Sequence, residues 1–177
     1  MIHSIERLRT GDTRQQEAYK TILQLNILND LQHYHPVLCG TYPLAIFVEY
    51  SDLDIILQAF HLDRLESDIR RFYSGFSDFS IKRKRIRDQE VIKANFQFHT
   101  FMFELFGQKQ AVDQQNAYLR MVIEDHILKQ NPTFKREVIR LKQEGMNTEA
   151  CFCKLLRLEG DPFEQLLLYG KQTGIIG

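Results

Sequence analysis

Between residues 14 and 34 apolar side chains recur at helical spacing through Ala18, Ile22, Leu25, Leu28 and Leu31. The pattern predicts helix with Thr13 as its N-cap, and Asn26 is placed to divide it in two. Pro36 stops the run, and Val37-Leu38-Cys39 predicts a short strand ending at Gly40. A second strand is predicted through Asp52-Leu53-Asp54-Ile55-Ile56-Leu57, with Ser51 near its start. Leu62 to about Tyr73 reads as helix, terminated by Gly75. Three strands are predicted next, over 80–86, 91–98 and 101–106, the last two joined by a tight turn at His99-Thr100.

The remainder reads as helix. One amphipathic helix is predicted over 112–130 and closed by Asn131-Pro132, a second over 134–144 ending at Gly145, and a third over 148–158 capped by Asn147 or Thr148. Asp161-Pro162 opens the last, with cap and N1 proline in the preferred order. Helix, strand, strand, helix, three strands and then helices argue for an α+β fold: a mixed sheet core of about five strands with flanking helices and an α-helical C-terminal half. Neither repeats nor Gly/Ser linkers interrupt the chain, so a single domain over 1–177 is expected, with N-terminal helices over 13–35, the sheet core over 36–107 and the helical part over 108–177.

Composition narrows the class. The 177 residues are 44% hydrophobic and 26% charged, the profile of a globular chain large enough for a core that needs no disulfide or structural metal. Lys plus Arg and Asp plus Glu balance at 23 each, so no overall field draws the protein to nucleic acid or anionic lipid. No apolar run has signal-peptide or membrane-span length, and three cysteines, an odd number without framework spacing, read as reduced thiols. A cytoplasmic protein with no membrane partner is the expectation.

The candidate chemistry sits in "CGTYPLAIFVEYSDLDIIL", residues 39–57. On a strand Asp52 and Asp54 project to one face, within about 7 Å of each other, while Leu53 and Ile55 turn the other way into packing. Two carboxylates at that range repel, and a divalent cation between them relieves the repulsion. Hard oxygen ligands with room for substrate phosphates suit Mg²⁺ or Mn²⁺. The pattern also fits turn chemistry at a strand mouth, where short acids bond local amides. Upstream, Gly40 permits close backbone approach and exposed amides attract phosphate.

A strand ending in Gly40-Thr41, followed by a short turn and a returning Asp52-x-Asp54 strand, resembles the signature of the nucleotidyltransferase superfamily, whose usual second residue is Gly or Ser where Thr41 stands here. The resemblance implies that Gly40 and Thr41, with Ser51 at the strand start, contact nucleotide phosphates. It implies that the two acids hold metal, and that a third carboxylate comes from a later adjacent strand. Glu104, within Phe101–Phe106, is the candidate for that place, with Glu49 a weaker rival. Glu104 equally suits a surface charge paired with a Lys or Arg.

Three further segments, "FELFGQ" at 103–108, "QNAY" at 115–118 with Met121 and Glu124, and "GMNTEA" at 145–150 through "GDPFEQLL" at 160–167, are similar to the domain-of-unknown-function family 4269, small bacterial proteins of the nucleotidyltransferase-like group. The similarity spans about Gly11 to Leu168. The chain departs from that pattern at Arg120, where a His often follows, and at Cys151 and Cys153.

Two other features bear on ligands. Strand alternation places Arg83, Arg85 and Arg87 on one face, where they suit a triphosphate, with its leaving pyrophosphate, or a nucleic-acid backbone; the same run also suits an edge strand protected by charge. Gln115 and Tyr118 share a helix face and either cap a substrate pocket or belong to the core. The resulting expectation is a metal-dependent nucleotidyltransferase, with Asp52, Asp54 and Glu104 binding metal and a nucleoside triphosphate reacting with an undefined acceptor, nucleic acid being disfavoured. The alternative is a catalytically idle nucleotidyltransferase-like module that binds nucleotide or protein.

Overall fold

The computed structural model describes residues 4–86 and 88–177. The N-terminal region holds α1 (Ser4–Arg9), α2 (Thr13–Leu25) and the single-turn α3 (Ile27–Asp30). Asp12, not Thr13, caps α2: its side chain accepts from Gln15 N at 2.9 Å while Gln15 Oε1 accepts from Asp12 N at 3.1 Å, a reciprocal capping box that places Thr13 inside the first turn. Asn26 does divide the segment, in the left-handed conformation at φ 60°.

Next come β1 (Val37–Cys39), β2 (Leu53–Gln58), α4 (Leu62–Tyr73), β3 (Ser77–Ile86), β4 (Gln89–Phe98) and β5 (Phe101–Gln108). The strands form one mixed sheet in the order β1-β2-β5-β4-β3. β2 runs parallel to β5, and the other neighbours are antiparallel. Asp52 lies just before β2 rather than within it. The chain closes with α5 (Asn116–Gln130), α6 (Phe134–Gln143), α7 (Thr148–Leu156) and α8 (Pro162–Gln172). No helix among the described residues is long and apolar enough to cross a membrane.

The helix expected from Val112 is broken. Residues 112–114 form a 3₁₀ turn and Gln115 is extended, with φ −70° and ψ 141°. Its side-chain Nε2 donates to Leu57 O at 3.0 Å and Gln110 O at 2.9 Å, so Gln115 ties the helical half to the end of β2 instead of starting a helix. α5 begins one residue later.

Strand alternation gives the sheet two differently used faces. Leu53, Ile55 and Leu57 of β2, Phe103 and Leu105 of β5, and Ile92, Ala94 and Phe96 of β4 pack against α1–α4. Tyr73, Phe96 and Phe103 stack face to face, with centroids 4.8 and 5.2 Å apart. Gly107 lets α4 approach that layer, since a Cβ there would lie 2.2 Å from Leu65 Cδ2. On the opposite face Cys39 and Ile56 pack with Met121, Ile123, Phe152 and Leu166 of the C-terminal helices. Charged and polar residues of β2, β4 and β5 also open to this second face. α1 reaches it through Arg7, whose guanidinium donates to both carboxylate oxygens of Asp125 on α5 at 2.6 and 3.0 Å.

Phe96 is the middle ring of its stack and fully buried. Phe96→Ala is expected to cost about 3–5 kcal/mol of stability, measurable by urea unfolding; a loss under about 1 kcal/mol would show that the stack does not organise the sheet.

Candidate active site

Cross-strand register assembles the site. Cys39 pairs with Asp54, Asp54 with Glu104, and Glu104 with Asn95, so one line of residues crosses β1, β2, β5 and β4 on the second face. Adjacent strands lie about 4.8 Å apart, which puts the Asp54 and Glu104 backbones side by side. Asp52, two residues before Asp54, is close enough for its charge to act on Asp54 and for the Glu104 charge to act on it. Among the described residues, however, no three His, Cys, Asp or Glu side chains converge as a ready-made cation cage.

The counter-charge in place is a lysine. Lys93 Nζ lies 2.6 Å from Glu104 Oε2, and Asn95 Nδ2 approaches the same oxygen at 3.5 Å. Lys93 and Asn95 stand two apart on β4, so both point to the face that carries Glu104. The sequence marks them only as polar interruptions of an apolar strand, and neither entered the expected site.

Burial raises the Asp54 carboxyl most, the Glu104 and Asp52 charges raise it further, and Lys93 and Lys142 partly offset them, leaving it at about 8. Asp52 is raised in the same direction by burial and then by Glu104. A cation lowers the energy of such a group directly. These acids could hold Mg²⁺ or Mn²⁺: they offer hard carboxylate oxygens, one set already paired with Lys93, open on one side to a cavity.

That cavity has a volume of about 710 Å³. It lies between the second sheet face and α5, α7 and α8, and Asp54, Glu104, Gly40, Thr41 and Gln115 line it. Gly40 sits at φ 73°, and a Cβ there would lie 2.1 Å from Asp54 Oδ2. The glycine is required twice, by its backbone and by the carboxylate pressed against it. Thr41 and Gln115 are 8% and 1% exposed, and Thr41 Oγ1 and Gln115 Oε1 have no hydrogen-bond partner among the described residues. Two buried polar atoms without partners beside a cavity are the kind of exception that a ligand satisfies.

The 41–52 loop holds this wall in place. Ile46 N donates to Thr41 O at 3.1 Å and Ala45 N to Tyr42 O at 3.1 Å, closing a turn. Gln15 Nε2 donates to Tyr42 O at 2.7 Å, and Tyr50 Oη donates to Lys142 O on α6. Ser51 Oγ accepts from Val48 N at 2.9 Å, so its hydroxyl serves the loop, outside the cavity lining.

Other expected residues lie elsewhere. Arg83 is held by Asp63 at 2.5 Å and Glu66 at 2.7 Å, bracing the edge strand β3 against α4. Arg85 is 72% exposed, 3.7 Å from Asp88. Neither lines the cavity, and Arg87 lies outside the described residues. Tyr118 is buried in the core formed by the C-terminal helices.

The helical wall adds charges that spacing alone did not bring together. Arg120 on α5 pairs with Glu149 on α7 at 3.1 Å and lies over the Phe163 ring at 5.1 Å. Lys142 on α6 is buried, and its Nζ donates to Thr148 Oγ1 at 2.8 Å. Glu124, 4% exposed, faces the same cavity. Burial raises its carboxyl well above the usual range, Glu149 adds to the rise, and Arg120 and Lys142 oppose it.

The five-stranded mixed sheet with its flanking helices is a nucleotidyltransferase-like fold. The chain belongs to the family described as Domain of unknown function (DUF4269), whose model matches residues 20–169. No functionally curated protein matches the sequence. Among solved structures, the chain resembles the Cid1 poly(U) polymerase with MgGTP bound, at 13% identity and TM-score 0.55, over 78% of this chain and 45% of that one. It also resembles a cytoplasmic RNA terminal U-transferase (13% identity, TM-score 0.54, 74% of this chain and 41% of that one). A third likeness is to the polymerase core of TRAMP, an RNA surveillance complex (13%, 0.52, 88% and 49%). The chain thus spans under half the length of these proteins, and the likeness is one of fold.

Gly40→Ala is expected to destabilise the protein by about 2–4 kcal/mol, from left-handed strain and overpacking against Asp54; an unchanged melting midpoint would mean that the turn is not held against the carboxylate. A carboxyl raised in the folded state contributes no penalty below its unfolded value, near 4.3, and destabilises increasingly as pH rises through the folded value. Glu124→Gln is therefore expected to raise Tm at pH 8 by several degrees, at about 2–4 °C per kcal/mol, with the gain shrinking towards pH 5. A gain independent of pH would place the Glu124 carboxyl in the ordinary range.

Proposed function

We propose that this protein is a metal-dependent nucleotidyltransferase that moves a nucleoside monophosphate from a nucleoside triphosphate to an acceptor, and that it works in the cytoplasm with its buried thiols reduced. The observation that carries the reading is Asp54 level with Glu104 on adjacent strands, facing a cavity whose rim is the Gly40-Thr41 turn. Asp54 and Glu104, with Asp52 at the strand mouth, would hold Mg²⁺ or Mn²⁺, which neutralises triphosphate charge and lowers the pKa of an attacking hydroxyl when bound.

The chain's own groups do the rest. Gly40 admits phosphate close to the backbone, and the unpartnered Thr41 hydroxyl supplies a donor to a phosphate oxygen. Lys93, paired with Glu104, would add a positive charge next to the metal-holding acids. Gln115, anchored through its Nε2, presents Oε1 as a fixed acceptor for the nucleotide. The acceptor oxygen forms the new bond to the α-phosphorus as the bond to the bridging oxygen breaks. Pyrophosphate leaves with that electron pair, and the acceptor proton passes to water.

Ser51, Arg83, Arg85 and Tyr118 have no assigned part in this arrangement. The Lys93–Glu104 pair also favours a second reading, in which a built-in cation replaces the metal and the fold only binds nucleotide.

Incubation of the protein with each labelled nucleoside triphosphate, Mg²⁺ or Mn²⁺ and a cell extract separates the two. Transfer of label that falls at least about 100-fold in both Asp54→Asn and Glu104→Gln supports the enzyme, removal of a group that stabilises transition-state charge being worth about 10²–10³. Activity equal to wild type in both variants would end it. Nucleotide-induced thermal stabilisation that needs no divalent ion, without turnover, is the outcome expected of the binding module.

A further inference from the structure

The described lining of the cavity is rich in acids, two of which, Glu104 and Glu149, are paired with Lys93 and Arg120. Among its described lining residues six are carboxylates, Asp54, Glu104, Glu124, Glu149, Asp161 and Glu164, and one, Arg120, is a cation. Proteins that track a phosphate backbone do so with Lys and Arg. Here Arg83 is spent on α4 and Arg85 lies beside Asp88, while Lys82, in register with Lys93, and Lys84 share the cavity's face of the sheet without lining the cavity.

Asp54 and Glu104 have the metal role proposed above, so Glu124 is the acid still to be accounted for. It is 4% exposed and lines the cavity, and Arg120 and Lys142 act on it through their fields rather than through a hydrogen bond. The cations whose fields reach it are committed elsewhere, Arg120 to Glu149 and Lys142 to Thr148. A buried carboxylate without a partner is costly and becomes favourable when a ligand brings the cation. Glu124 also lies close to the reacting end of the cavity, because its charge and that of Asp54 both act on the Cys39 thiol, and Cys39 is in register with Asp54. The volume of about 710 Å³ is that of a small-molecule site.

We infer that the acceptor is a small amine-bearing cation, with its ammonium group bound by Glu124 on the helical wall facing Asp54 and Glu104. The inference rests on the nucleotidyltransferase reading only for the word acceptor, since the cation site exists whether or not transfer occurs.

Binding to the full-length protein is measured calorimetrically without nucleotide, at 0.15 M salt, for spermidine, glucosamine, N-acetylglucosamine and a uridine 15-mer RNA. Spermidine or glucosamine is expected to bind, which distinguishes a polyamine from an amino sugar. N-acetylglucosamine, which lacks the charge, and the RNA are not. Glu124→Gln is expected to weaken amine binding at least about tenfold, the loss of one charge-assisted hydrogen bond, and Glu124→Asp, which keeps the charge, to weaken it less. Failure of both amines to bind, equal binding by Glu124→Gln, or RNA binding tighter than either amine would overturn the inference. Because no turnover is read, failure of nucleotidyl transfer in the Asp54 experiment leaves this result standing.

Discussion

The parallel pairing of β2 with β5 in an otherwise antiparallel sheet is the constraint on which the rest of the molecule depends. It requires the chain to leave β2, cross through α4, build the β3–β4 hairpin and return beside its starting strand. In the register that results, Asp54 stands level with Glu104, while Leu53, Ile55, Phe103 and Leu105 turn together into the aromatic layer under α4. A slip of one residue in β5 would turn Glu104 into that layer and Phe103 and Leu105 towards the cavity. Hydrophobic burial on one face thus fixes the position of charges on the other.

Those charges are held at a cost, and the surrounding groups show how it is contained. Lys93 pairs with Glu104, Lys142 lends its field to both Asp54 and Glu124, and Arg120 is matched to Glu149. Each of these cations comes from a different element, so the site is complete only when the C-terminal helices close over the sheet. Gln115 connects the two parts: its hydrogen bond to Leu57 O at the end of β2 breaks the helix that periodicity would have continued and starts α5 over the cavity.

The same architecture is compatible with different partners because the fold supplies the carboxylate pair and the glycine turn, whereas the helical wall supplies the rest of the cavity. The chain shares its fold with longer proteins whose names speak of RNA, yet its described cavity lining is predominantly acidic. Fold and ligand chemistry are separate statements here, and the residues of α5, α7 and the α8 cap carry the second.

Much of the fold is legible in the sequence. Alternation and turn residues located the five strands within a few residues, because a half-buried strand must alternate and Gly, Pro and Asn end elements for local steric reasons. Local spacing put Asp52 and Asp54 on one side of the chain and Gly40 at a turn. Sequence could not show that Gly40 has no room for a side chain because Asp54 occupies it, that Lys93 is the counter-ion of Glu104, that Arg83 is spent on α4, or that Asp12 rather than Thr13 caps α2. Periodicity is a property of neighbours along the chain, so the sequence by itself determined the elements and the candidate acids. Register, burial and the approach of α5 are set by residues far apart, and only the tertiary structure decided which charges meet, which remain without a partner, and therefore what kind of ligand the cavity would hold.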